Sequence, residues 1–190
     1  MGRTVGLAAV MIGLAGVVLS GCGGSDDSGA TPGASGTSRV KSVEITRREL
    51  FADGLSFGSV GAYEKLVGTA TLELDLADPR NAPITDKDRV QQASAGKIEY
   101  TTDLYIMRPV DPAKGNGKLL FEVNNRGNKR IWTYLNDSPS STAALNEPKT
   151  ERDAGNGFLM RQGYTMAWAG WQGDVRPVED RLTIRPPVPT

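Results

Sequence analysis

The sequence has no histidine, a single cysteine and no excess charge of either sign. Its 190 residues carry 22 Lys+Arg against 22 Asp+Glu. Without histidine the chain holds no imidazole base, no imidazole metal ligand and no Ser-His-Asp arrangement of its own. One cysteine excludes an internal disulfide framework and a cysteine-cluster zinc site. Zero formal charge removes the long-range field that draws proteins onto nucleic acid, so no nucleic-acid partner is expected. No uncharged apolar run reaches the ~20 residues that cross a bilayer as a helix.

What the sequence does contain begins with a leader. Arg3 supplies a positive start, and Val5 to Leu19 is an uncharged apolar stretch of signal-peptide length. It ends in Leu19-Ser20-Gly21-Cys22, which resembles the bacterial lipobox. Residues 1–21 are therefore expected to be a cleaved signal peptide and Cys22 the lipidated residue. Acyl carbons contribute about 0.8 kcal/mol each when buried, so two or three chains hold a protein on a membrane. The alternative is a plain secretory signal with a cysteine beside its cleavage site. Residues 22–39 are rich in Gly and Ser, as in a flexible tether. Gly23 stands where an Asp would mark inner-membrane retention. The expected location is the bacterial cell envelope, at the outer membrane if the host is Gram-negative, with the membrane as partner through the Cys22 lipid.

Residues 40–190 suffice for one ordinary domain. Val43 and Ile45 alternate in Val40–Arg48, a strand pattern. In Tyr63–Asp75 the residues Leu66, Ala70, Leu72 and Leu74 share a face. In Lys97–Arg108 the residues Ile98, Tyr100, Leu104 and Ile106 do the same. These read as half-buried antiparallel strands. Leu119–Val123 is a continuous apolar run, expected of a strand covered on both faces, and Tyr164–Trp168 is a second. Between them Asp153 is a candidate cap for a short helix through Phe158–Met160, with Gly163 as its stop. Strand, crossover with helix and strand predict a parallel βαβ unit. Arg181–Arg185 is a candidate last strand.

Three motifs bear on chemistry. Gly54-Leu55-Ser56-Phe57-Gly58 fits G-x-S-x-G, but Gly and Ser crowd both sides and no imidazole exists to activate Ser56, so a loop is expected. Asn124-Asn125-Arg126-Gly127 follows the Leu119–Val123 strand, where α/β proteins build ligand sites, and its N–H groups could serve an oxyanion. The same residues also read as a Gly-containing turn whose Asn side chains satisfy loop backbone while Arg126 pairs with a carboxylate. Trp168, Trp171 and Tyr164 could line an apolar pocket or belong to the core. Asp75, Asp78, Asp86, Asp88 and Asp103 lack metal-loop spacing, and no metal or cofactor is expected.

Several strings follow one another in a known order: Phe51-Ala52-Asp53-Gly54, Gly61-Ala62-Tyr63-Glu64-Lys65-Leu66, Thr102-Asp103-Leu104-Tyr105, Glu122 to Gly127, and Asp153 to Met160. Over residues 43 to 185 the chain resembles the N-terminal portion of the large bacterial exported alpha/beta hydrolase domain proteins. The resemblance implies an α/β fold, an incomplete hydrolase-like sheet with a β-rich antiparallel leading segment, cut before the nucleophile elbow, acid and His. It places Asn124, Asn125, Arg126 and Gly127 in the loop that contributes oxyanion donors. A small ester-like substrate is implied for the complete protein only. The resulting expectation is the leading fragment of a lipid-anchored ester hydrolase, inactive alone. The alternative is a non-catalytic envelope lipoprotein module that binds a small ligand or a partner.

Overall fold

The computed structural model describes residues 37–90, 94–176, 178 and 180–187. The leader, Cys22 and the linker up to residue 36 lie outside the described residues. Six strands form one mixed sheet: β1 (Arg39–Leu50), β2 (Tyr63–Asp75), β3 (Lys97–Pro109), β4 (Leu119–Glu122), β5 (Thr165–Ala169) and β6 (Ile184–Arg185). The order is β1-β2-β3-β5-β4, with β6 also beside β3. β1, β2 and β3 are a long antiparallel meander, β5 runs antiparallel to β3, and only β4 and β5 are parallel. The expected strands over Tyr63–Asp75 and Lys97–Arg108 are present, and Leu66 pairs with Ile106 and Leu72 with Tyr100 as the shared alternation requires.

The expected α/β hydrolase-like fold does not form; this is a β-rich sheet with sparse helix. Its helices α1 (Ile131–Asn136), α2 (Thr142–Asn146) and α3 (Phe158–Arg161) have six, five and four residues. The sequence itself stops them. Asp137 ends α1 in the left-handed region, Pro148 stands two residues beyond α2, and Gly157 enters α3 at φ +65°. Asp153 does not cap α3. Its carboxylate instead takes the N–H groups of Lys149 and Thr150, and the side chain of Asn156 accepts from Phe158 N at the start of α3.

The main core cluster lies on one face of the sheet. Tyr63, Tyr105, Met107, Met166 and Trp168 project from β2, β3 and β5 into a cluster with Phe51, Phe57, Trp132, Leu159 and Met160. Trp132 and Trp168 meet at 5.5 Å between ring centroids, and Tyr105 stands edge-on to Trp168 at 5.8 Å. Each such fully buried side chain contributes roughly 1.5–3 kcal/mol. Glu122 joins the layers: its carboxylate accepts from the N–H groups of Arg130 and Ile131 at the start of α1 and from the Trp168 indole. The Tyr63 hydroxyl donates to the carbonyls of Met160 and Tyr164 at the end of α3.

Candidate interaction face

The Asn124–Gly127 turn sits at the carboxyl end of β4, as expected, and is stitched closed. Asn124 is buried; its amide donates to Ala169 O at 2.6 Å and its carbonyl oxygen accepts from Gly127 N at 3.0 Å. Arg126 N donates to the Gln172 side chain at 2.7 Å, and the Arg126 guanidinium pairs with Asp174 at 3.0 Å. Asn125 bridges to Asn128. The backbone of Leu182 comes so near that a Cβ on Gly127 (φ +78°) would lie 2.6 Å from its carbonyl oxygen. The N–H groups of Arg126 and Gly127 are thus spent on Gln172 and Asn124. Ser56 lies in an exposed loop between two short turns, and its hydroxyl reaches only Gly58 O, at 3.4 Å. Trp168 is wholly buried in the core, whereas Trp171 is half exposed and donates to Asn124 O.

A second place holds buried charge. On the core side, β2 presents Lys65, whose ammonium contacts Glu147 at 2.7 Å, Glu49 at 2.6 Å and Pro148 O at 2.9 Å. Arg47 grips Glu147 through both guanidinium nitrogens, at 2.9 and 2.8 Å. Burial pushes the Glu147 pKa up, but the bonds from Arg47 and Lys65 outweigh it and hold the carboxyl below its ordinary range. Beside this network Lys129 lies over the Tyr105 ring at 4.5 Å, and burial pushes its ammonium down to about 8. A cavity of about 410 Å³ opens next to Glu147, with Ser141, Lys149, Thr150 and Asp153 on its walls. Both Glu147 oxygens and one Asp153 oxygen are already engaged by the protein. The network fastens the loop after α2 to the sheet. Among the described residues no group of three or more His, Cys, Asp or Glu side chains is placed to hold a metal ion.

The third place is the other face of the sheet. Register partners share a face, so one row runs Arg48, Leu66, Ile106, Ala167, Phe121 across five strands. Val43 and Ala70 share this side with Val40 and Leu72, and Ile45 stands beside Gly68 and Leu104. No described helix lies among the core contacts of these residues, because the helices pack on the opposite side with Tyr105, Met107 and Trp168. The outer strands leave this side open, with Val40 at 58%, Leu119 at 53%, Phe121 at 53% and Val123 at 69% exposure, whereas Leu66, Ala70, Ile98 and Ala167 on the inner strands are buried. Seven of the fourteen exposed large apolar side chains among the described residues belong to this face or continue it: Val40, Val43, Ile45, Leu50, Leu119, Phe121 and Val123.

The chain matches no family model, no curated protein and no solved structure. The geometry of the chain itself therefore has to carry the reading. Leu119–Val123, expected to be covered on both faces, is covered on one: Leu120 and Glu122 turn inward, while Leu119 and Phe121 face outward. One end of the bare face is polar. There Glu64, buried at 3% exposure, accepts from Arg48 at 2.6 and 3.0 Å and from Arg108 at 2.8 Å. The signal for this face was present in the alternation of β1, β2 and β3, but alternation alone does not tell which side the helices will take.

Proposed function

We propose that this chain is a lipid-anchored protein of the bacterial envelope that works by association through the exposed outer strands of its sheet and performs no hydrolysis of its own. One observation carries the reading: half of the exposed large apolar side chains among the described residues lie on the two outer strands of one sheet face or continue them, and exposed apolar surface of this kind marks an interaction surface. The Leu19–Cys22 tetrad supports the anchor and its side of the membrane. The resemblance to exported alpha/beta hydrolase domain proteins bears on descent. Ester hydrolysis needs a base and an activated nucleophile, and this chain has no histidine and carries Ser56 in an exposed loop.

Membrane fractionation and an esterase assay test the proposal together. The mature protein is expected in the membrane fraction, and Cys22→Ala is expected to release it or leave the leader attached. Turnover of short-chain aryl esters should not exceed a heat-treated control. Stoichiometric fluorophosphonate labelling of Ser56, abolished by Ser56→Ala, would overturn the non-catalytic reading.

A further inference from the structure

We infer that the pocket where α1, α2 and the segment before Leu182 meet is a binding site for the phosphate group of a small phosphate monoester. The inference goes beyond the association reading and does not depend on it.

The pocket has a volume of about 200 Å³ and is built from three stretches of chain: Asn128 to Tyr134 at the start of α1, Ser140 and Leu145 around α2, and Arg181. Its chemistry departs from that of a chain balanced at 22 Lys+Arg against 22 Asp+Glu. Arg130 and Arg181 bring two guanidinium groups to its walls, and no Asp or Glu stands among the described residues that line it. Elsewhere the guanidinium groups of Arg39, Arg47, Arg48, Arg108 and Arg185 are held by carboxylates. The Arg130 side chain is exposed and makes no ion pair among the described residues. Its backbone is nonetheless fixed, because its N–H donates to the Glu122 carboxylate at 3.0 Å. Two cations without a local carboxylate give the pocket a positive potential that favours an anion.

The rest of the lining suits an oxyanion. Thr133 Oγ1 is buried with no hydrogen-bond partner. Buried polar groups are paired as a rule, and a bound anion beside Thr133 supplies the missing acceptor. Tyr134 and Ser140 add two exposed hydroxyl side chains. The walls are set before any ligand arrives. Asn128 donates to Asn125 O and accepts from the Asn146 amide, whose own oxygen takes the N–H of Lys129. Leu145 is buried.

Size and charge select the ligand. A water in the liquid takes about 30 Å³, so the pocket has room for about seven, whereas sites for drug-sized ligands start near 300 Å³. A phosphate carrying a small alcohol fits this space. A carboxylate presents two oxygens, which one guanidinium fork saturates; a phosphate monoester presents three and carries nearly two charges at neutral pH. Two forks and three hydroxyl groups match the phosphate. Its source is either a soluble ester or a lipid headgroup.

Equilibrium dialysis of radiolabelled glycerol phosphate against the full chain in phosphatidylcholine vesicles tests the site. The protein is expected to retain label that inorganic phosphate displaces and acetate does not. Arg130→Gln should weaken retention about tenfold or more, with Arg130→Lys in between, since an ammonium keeps the charge and loses the fork. Arg130 is exposed and its N–H bond to Glu122 survives both changes, so the circular-dichroism melt should stay unchanged. Arg152→Gln removes an equal charge at an exposed position outside the pocket and should leave retention as it was. No retained label, retention indifferent to Arg130→Gln, or an equal loss in Arg152→Gln would overturn the inference. Equal displacement by acetate would reduce the pocket to a general anion site and overturn it too. Phosphatidic acid in the vesicles, with the diester phosphatidylglycerol as charge control, separates the sources. It abolishes retention where the site takes a lipid headgroup and leaves retention unchanged where the site takes a soluble ester; both results support a phosphate site.

Discussion

The two faces of this sheet differ in the opposite sense from what their sequences suggest. The covered face is chemically mixed: Tyr63, Lys65, Val67 and Thr69 on β2, Asp103, Tyr105 and Met107 on β3. The other face, away from the helices, is the regular one, with Leu66, Ala70, Leu72 and Leu74 on β2 and Ile98, Tyr100, Leu104 and Ile106 on β3, and of these Leu66, Ala70 and Ile98 are buried as well. The difference teaches that apolar alternation marks a face that prefers cover, whereas the helices go where large aromatic side chains and anchoring polar groups receive them. Trp168, with Tyr105 edge-on to it, receives Trp132 of α1, and Lys65 reaches Glu147 beyond α2. Nothing equivalent rises from the other side.

The comparison is broken most severely at its centre. Trp168→Ala removes a wholly buried indole and takes one of three hydrogen-bond donors from Glu122, so it is expected to cost about 4 kcal/mol in urea unfolding followed by circular dichroism. Phe121→Ala, on the bare face of the adjoining strand, should change the stability of the monomer by less than about 0.5 kcal/mol. Equal costs at the two positions would show that the outer face is packed after all.

Next comes the charge buried on the covered side. Lys65→Met leaves Glu147 and Glu49 to share Arg47 alone and is expected to cost roughly 3 kcal/mol by the same measurement. Disrupting the polar end of the bare face with Arg48→Met should cost under about 1 kcal/mol, since Arg48 is largely exposed and Glu64 keeps Arg108.

The third test is a pH dependence owed to the covered face. Burial lowers the Lys129 ammonium from its ordinary 10.5 to about 8, so between those values the unfolded chain binds the proton that the folded chain has released. Stability from this group therefore rises as pH increases from 8 toward 10.5, by on the order of 1–3 kcal/mol. Burial raises the tyrosyl groups of Tyr63 and Tyr105, which adds the opposite slope once unfolded tyrosine ionises near pH 10. Urea titrations at pH 8 and 9.5 should show the rise, and Lys129→Met should abolish it.

Much of the sheet was legible in the sequence. Period-two alternation located β2 and β3, and the two compact apolar runs located β4 and β5 with their parallel pairing. Side-chain direction relative to the helices was not legible, because it depends on contacts such as Trp132 on Trp168 that join residues 36 apart. The hydrolase-like fold failed for a local reason: Asp137, Pro148 and Gly157 cut the crossover into short helices. The Asn124–Gly127 turn was placed correctly at the end of β4, yet which bonds its donors make depended on Gln172 and Ala169, far along the chain. Lys65 and Lys129 gave no sequence signal at all; a buried lysine looks like any other until its partners are assembled.

The brevity of the crossover helices has a consequence for the order of events in folding. Helices of four to six residues are far below the roughly 12–15 at which a helix persists alone in water, so none can serve as a preformed unit. The first parallel pair, Leu119 with Thr165, must therefore close across 46 residues of otherwise unstructured chain. The β1–β2–β3 meander pairs neighbours in sequence and escapes that delay. The meander thus forms early, and its two faces are equally naked until the crossover arrives. Only the arrival of Trp132, Leu159 and Met160 decides which of them becomes the inside.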